Sequence, residues 1–254
     1  MTTRLAVTVT AKQPGRYLVP AKAQALEWGL PFIERPEKTP LADRLGVEAD
    51  AFLVLGGEGW TLHDGQGSLA FTPGMARVRI KRIQLGQQED DMIVRLCELA
   101  PGDVVFDGTL GLAGDALVCA HKVGPTGRVI GVEGSFAMFA LVSEGLRAMG
   151  SQIEVRHGTT LEVLRQLPGA SVDCVILDPM FDRPKKSTPA FDMLRRFAVH
   201  EPLTTPTLDE AQRVARRWVV VKGGRFGGEF ARLGLTPLKP TRSASLVWAR
   251  LPGR

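Results

Sequence analysis

From residue 90 to the C-terminus, short apolar runs rich in β-branched residues alternate with segments of helical period. Val104-Val105-Phe106, Arg128–Val132, Ile153–Arg156, Val172–Asp178, Trp218–Val221 and Ser245–Ala249 read as strands. Asp90–Leu99, Gly114–Lys122, Ser135–Met149, Thr160–Leu167 and Leu208–Arg217 read as helices, with Ser135 as an N-cap and Glu229–Leu233 as a helical turn. Strands that alternate with helices form a parallel sheet covered on both faces. The expected fold class is therefore α/β, a Rossmann-like sheet of about seven strands with the last two antiparallel. Such sheets bind ligands at the carboxyl ends of their strands, near the point where strand order reverses. The residues that follow each strand are the ones to read for chemistry.

The first strand runs into Asp107-Gly108-Thr109-Leu110-Gly111-Leu112-Ala113-Gly114-Asp115. The glycines let backbone approach a ligand closely, and the helix start adds N–H donors. An acid, Asp107, stands before the loop and suits an amine or cation better than a pyrophosphate. The glycine spacing also differs from the dinucleotide fingerprint G-x-G-x-x-G. The second strand ends at Glu133-Gly134, about 20 residues on, where a carboxylate can bind both hydroxyls of a ribose. The third leads into His157-Gly158-Thr159-Thr160, a turn placed to border an adenine, with the Thr159 hydroxyl as acceptor for its amine. His157 reads as a strand-end residue rather than a base.

The fourth strand delivers Asp178-Pro179-Met180-Phe181. Asp178 and the carbonyl of Pro179 are placed to accept hydrogen bonds from an exocyclic amine, while the ring of Phe181 stacks a flat base. Acid and glycine loop, ribose acid, adenine turn and D-P-x-F, on successive strands, together mark a class I S-adenosylmethionine (SAM)-dependent methyltransferase acting on an exocyclic amine. Within that class the chain resembles the RsmJ family of 16S ribosomal RNA guanine-N2 methyltransferases and their relatives. The resemblance covers roughly residues 77–225. It lies in Asp107–Leu117, Glu133, His157–Leu161, Asp178–Phe181 followed by Lys185-Lys186-Ser187, and Val219–Lys222. It implies that Gly114, Asp115, Glu133, Gly134, Thr159, Thr160 and Asp178 line the SAM pocket. Asp107, Gly108, Thr109 and Gly111 complete the loop around it. Asp178, Pro179 and Phe181 are the candidate catalytic residues, and Phe181, Lys185 and Lys186 the candidate RNA contacts. Gly114 stands where RsmJ has an arginine, and residues 1–75 do not match its N-terminus. Methylation of tRNA, DNA, protein or a small molecule is the neighbouring reading. A nucleotide-binding or NAD-dependent protein is the reading from another class, and it leaves Asp107 and the Asp-Pro-Met-Phe turn without a role.

The remaining chain sets bounds. Residues 1–76 read as a small α/β unit before a methyltransferase domain at 77–254. Its expected elements are strands at Ala6–Thr10, Phe32-Ile33 and Ala51–Leu55, helices at Ala21–Trp28 and Leu41–Leu45, and a hairpin through Trp60–Leu62 and Leu69–Phe71. No apolar run approaches the roughly 20 residues of a membrane span, and the N-terminus reads as a strand, so a cytoplasmic enzyme is expected. The three cysteines, Cys97, Cys119 and Cys174, are widely spaced and read as small core residues. The histidines lack metal-ligand spacing, so no metal is expected. The net charge of +5 permits a polyanionic partner, here small-subunit rRNA. Arg77, Arg79 and Lys81 fall on one face at strand period, either as a solvated face or as a phosphate-contacting stripe. Further cations near the site are Arg183, Arg195, Arg196, Arg213, Arg216, Arg217, Lys222 and Arg225.

Overall fold

The chain folds around two β-sheets that share one hydrophobic core. The computed structural model describes residues 3–87, 91–179, 189–199, 202–224, 228–238 and 246–254. The first sheet contains β1 (Leu5–Val9), β2 (Ala51–Gly56), β3 (Gly59–Asp64) and β4 (Gly67–Ala70), in that spatial order. β1 and β2 are parallel, and the hairpins that follow are antiparallel. Helix α1 (Gly15–Glu27) packs on β1 and buries Ala21 and Ala25. Phe32 makes only an isolated bridge to Val7, and the helix expected at Leu41–Leu45 is one 3-10 turn, Leu41–Asp43.

The second sheet follows α2 (Gly74–Gln84) and α3 (Met92–Cys97). In chain order come β5 (Val104–Asp107), α4 (Gly114–Val123), β6 (Arg128–Glu133), α5 (Phe136–Ala148), β7 (Glu154–His157), α6 (Thr160–Gln166) and β8 (Val172–Leu177). Then follow α7 (Pro189–Phe197), α8 (Thr205–Val214), β9 (Ala215–Gly224), α9 (Glu229–Arg232) and β10 (Leu246–Pro252). The order is β10-β9-β8-β5-β6-β7, six strands among the described residues. All neighbours are parallel except β9 and β10, which are antiparallel as the sequence led us to expect. The chain winds outward from β5 to β7, returns, and winds the other way from β8. The switch point therefore lies between β5 and β8.

One face of this sheet, with α6, α8 and α9, buries Phe106, Ile130, Val175, Val219, Leu208 and Phe230. The other face shares a core with the first sheet, so that Val7, Leu53 and Leu62 belong with Leu141, Cys174 and Val220. Cys97, Cys119 and Cys174 are free and buried, as expected of small core residues. Helix α5 carries the first sheet. The Phe71 ring lies on Gly145 so closely that an added Cβ would sit 2.2 Å from it.

Two sequence assignments need correction. Residues 77–83 form helix α2, not a strand. The pattern Arg77-Val78-Arg79-Ile80-Lys81 satisfies period two, but Ala76, Arg79, Ile80 and Ile83 also share one helical face. Burial decides between them. Ala76 is buried, and Arg79 turns inward because Asp91 and Asp115 receive its guanidinium. The helix expected over Leu208–Arg217 ends at Val214, and Ala215, Arg216 and Arg217 open β9 instead. Their partners lie across the sheet, Arg216 on Asp173 at 3.3 Å and Arg217 on Asp103 at 2.5 Å. Helix α7 was not foreseen.

Candidate active site

The carboxyl ends of β5, β6, β7, β8 and β9 converge at the switch point. Asp107, 2% exposed at the end of β5, accepts the Thr109 N–H at 3.0 Å. Burial, with Asp115 and Asp178 nearby, pushes its carboxyl up to about 7. Gly108 leaves no room for a side chain unless its neighbours shift. A Cβ would lie 2.6 Å from Thr160 Cγ2 and 2.8 Å from Leu177 Cδ2. The same contact is locked by the Thr160 hydroxyl, which donates to Gly108 O at 2.5 Å. The Thr109 hydroxyl accepts the N–H of Asp178 at 2.7 Å, joining the glycine loop to the end of β8. Gly111 turns at φ +50°, and Gly114, first residue of α4, has nothing within 4 Å of a built Cβ. Ala113 caps α4 without a side-chain acceptor, so the first N–H groups of that helix remain available as donors.

The β6–β7 half is polar and ordered. Glu133, 7% exposed, accepts Gly111 N–H at 3.1 Å on Oε2 and Ser135 N–H at 2.8 Å on Oε1. Burial holds its carboxyl above the usual range. The Gly134 N–H also acts on it, and the carboxylate keeps acceptor capacity for a further donor. Gly134 packs under Val199, where a Cβ would come to 2.8 Å. His157 directs Nε2 to Gly134 O at 3.2 Å and packs against Phe136 and Phe139. It is a strand-end residue, as read. Thr159 caps α6 in a box with Glu162, donating its hydroxyl at 2.8 Å and accepting the Glu162 N–H at 3.3 Å. Its hydroxyl is thus engaged within the turn and retains one lone pair.

The β8–β9 half carries the charges. Lys222, on β9, donates from Nζ to Asp178 Oδ2 and lies 4.0 Å from Asp115 Oδ2. Arg79 reaches the other oxygen of Asp115 at 2.5 Å and Asp91 at 2.8 Å. Burial raises the Asp178 carboxyl, with Lys222 opposing the shift. Burial alone would lower the Lys222 ammonium, but Asp178 and Asp115 outweigh it and raise it. Pro179 is buried beside Asp178. Met180, Phe181, Arg183, Lys185, Lys186, Ser187 and Arg225 lie outside the described residues. Sequence reasoning placed Lys222 near the site and gave Arg79 to a solvated or phosphate-contacting face, and so missed that the two cations pair with Asp178, Asp115 and Asp91. The available signal was Lys222 itself, a lone cation ending the apolar run Val219–Val221 and followed by two glycines.

These residues fit the expected SAM. Glu133 keeps acceptor capacity for a diol, Gly114 faces open space, and buried Asp107 suits a ligand bearing positive charge. Among the described residues no cluster of three or more His, Cys, Asp or Glu is arranged to hold a metal, and no helix is long and apolar enough to cross a membrane. Residues 64–232 match the family model described as "Putative SAM-dependent methyltransferase". A protein of Bacillus subtilis strain 168, YpiP, is 33% identical over 242 residues, covering 91% of this chain and 93% of its own. Ribosomal RNA small subunit methyltransferase J of Alteromonas mediterranea is 33% identical over 128 residues, 46% of this chain and 48% of its own. Among solved structures, a SAM-dependent methyltransferase from Neisseria gonorrhoeae superposes with a TM-score of 0.61 at 21% identity, covering 98% of this chain and 95% of that one. That likeness speaks to the fold. On the family match, which spans well over half of its length, the chain belongs to the SAM-dependent methyltransferases and is an enzyme that takes its methyl group from SAM.

Proposed function

We propose that the chain methylates an exocyclic amine of a nucleobase in RNA, with the N2 amine of a guanine in small-subunit ribosomal RNA as target, in the cytoplasm. The observation that carries the reading is the state of Asp178. It ends the strand at the switch point, its N–H is held by Thr109, and its Oδ2 is held by Lys222. Its Oδ1 has no partner among the described residues and is left to accept an N–H of the incoming amine. The 33% identity to a ribosomal RNA methyltransferase over 128 residues supports the same substrate class.

SAM, when bound, supplies an electrophilic methyl carbon on a sulfonium. An exocyclic guanine amine is a weak nucleophile because its lone pair is delocalised into the ring. The work of the chain is therefore positioning and charge placement. Asp178 Oδ1 and the carbonyl of Pro179 accept the two amine hydrogens and turn the nitrogen lone pair toward the methyl. With SAM bound, the amine nitrogen would take the methyl as its bond to sulfur breaks, the electron pair staying on sulfur to leave neutral S-adenosylhomocysteine, and Asp178 would accept the proton that the nitrogen sheds. Phe181 stacks the base. Glu133 holds the ribose, Thr159 and Thr160 border the adenine, and Gly108, Thr109, Gly111, Gly114 and Asp115 shape the loop around the donor. Lys185 and Lys186 hold phosphates. In this reading residues 1–76 form the accessory unit and 77–254 the catalytic one.

The test is nucleoside mass spectrometry of 16S rRNA from cells with and without the gene. The expected result is loss of one N2-methylguanosine, restored by the intact gene and not by Asp178→Ala. An unchanged rRNA nucleoside profile overturns the substrate assignment.

A further inference from the structure

We propose that helix α2 and the pocket beside it form the track for the acceptor strand. One nucleotide is seated against Trp248, and its backbone runs over Arg82, Lys81 and Arg77. The inference rests on the nucleic-acid reading above and gives it a place. A pocket of about 390 Å³ opens between α2, the start of α3, the first turn of α4 and the antiparallel pair β9 and β10. Its walls include Met75, Arg82, Asp115, Lys222, Leu246 and Trp248. That volume lies within the range of small-molecule sites, about 300–1,000 Å³. It sits on the β8–β10 half of the sheet, whereas Glu133 and Thr159 sit on the β5–β7 half. Lys222 joins it to the chemistry, bonding Asp178 while its Nζ lies 5.6 Å from the Trp248 ring centre. A half-buried indole beside cations matches the two parts of a nucleotide, a flat base and a phosphate.

Helix α2 supplies the rest. Arg79 clamps its inner face to Asp91 and Asp115, which fixes the helix at the pocket rim. Arg77, Lys81 and Arg82 are exposed on the outer face and have no ion-pair partner among the described residues. Met75 and Val78, 74% and 48% exposed, lie among them. An arc of unpaired cations leading from a pocket is complementary to a phosphodiester chain, and apolar side chains between them suit unstacked bases.

The experiment measures binding of a fluorescent 12-nucleotide single-stranded RNA to the full chain by anisotropy, between 50 and 200 mM salt. Arg77→Glu/Lys81→Glu/Arg82→Glu is expected to weaken binding at least thirtyfold. Arg77→Gln/Lys81→Gln/Arg82→Gln, a milder change, should flatten the salt dependence by about 2 in log–log slope, since each phosphate contact on a single strand contributes roughly 0.7. Trp248→Ala should cost about tenfold, the scale of one base–aromatic stack. Lys12→Glu/Arg16→Glu/Arg165→Glu, which moves the same charge elsewhere, should stay within twofold of the unaltered chain. Calorimetry with S-adenosylhomocysteine reports that each variant is folded. If folded α2 variants bind RNA like the unaltered chain, the track is overturned while the RNA reading stands. If the unaltered chain fails to bind RNA, or binds polyglutamate equally well, the track falls and the nucleoside profile alone judges the function.

Discussion

At the scale of single residues, the site holds three carboxylates, Asp107, Asp115 and Asp178, against two cations, Lys222 and Arg79. The excess negative charge leaves Asp107 with a carboxyl pushed up to about 7, burial being the larger cause. Bringing positive charge beside it favours ionisation. SAM binding at pH 7 should therefore release on the order of half a proton, and neutral S-adenosylhomocysteine should release less. Calorimetry in buffers of different ionisation enthalpy measures this, and Asp107→Asn should abolish the difference. The linkage to stability follows the same sign. A carboxyl raised in the folded state favours folding at low pH and loses that contribution as pH rises through about 7. Asp107→Asn should therefore be more stable than the unaltered chain at pH 8, by on the order of 4 kcal/mol, with the gap narrowing toward pH 5. Lys222 is a positioning residue. Lys222→Met removes the cation that opposes the effect of burial on Asp178, so the acid limb of the rate profile should move to higher pH. A purely structural defect would instead lower the rate equally at all pH values.

At the scale of elements, the glycine loop is held from three sides, by Glu133, Asp178 and Thr160. Gly108→Ala drives a methyl into Thr160 and Leu177. It should cost about 1–3 kcal/mol in denaturant unfolding and weaken SAM binding at least tenfold by calorimetry, because α6 and β5 must move apart. The strands of the second sheet were legible because runs such as Val172–Leu177 are apolar, β-branched and followed by chemistry-bearing turns. Asp107, Glu133 and Asp178 were legible for the same reason, each standing where a buried strand ends. Helix α2 was not. Its alternating cations fit two periods, and what decides is Asp91 and Asp115, 12 and 36 residues from Arg79. The start of β9 was hidden likewise, since Arg216 and Arg217 look like the polar end of a helix until Asp173 and Asp103 face them. Local pattern reports burial. It does not report which distant carboxylate makes burial of a cation affordable.

At the scale of the molecule, the two sheets are distinct in hydrogen bonding and continuous in packing. One cluster runs from Val7 and Leu62 through Leu141 to Val220. Scanning calorimetry should therefore show a single unfolding transition with equal calorimetric and van't Hoff enthalpies, and Gly145→Leu, which lifts Phe71 off α5, should split or broaden it. The same continuity extends to the element that follows Asp178-Pro179 in the described chain. Helix α7 lies against β4, with Met193 3.6 Å from a Cβ built at Gly67, and Arg196 pairs with Asp64 at 2.7 Å. Helix α7, the first described element after Asp178-Pro179, is therefore anchored on the N-terminal sheet rather than on the sheet that carries β8. The N-terminal residues thus fix the position of a helix that belongs, in sequence, to the other sheet. Asp64→Ala should raise KM for RNA several-fold while leaving SAM affinity unchanged, a split that steady-state kinetics and calorimetry read directly.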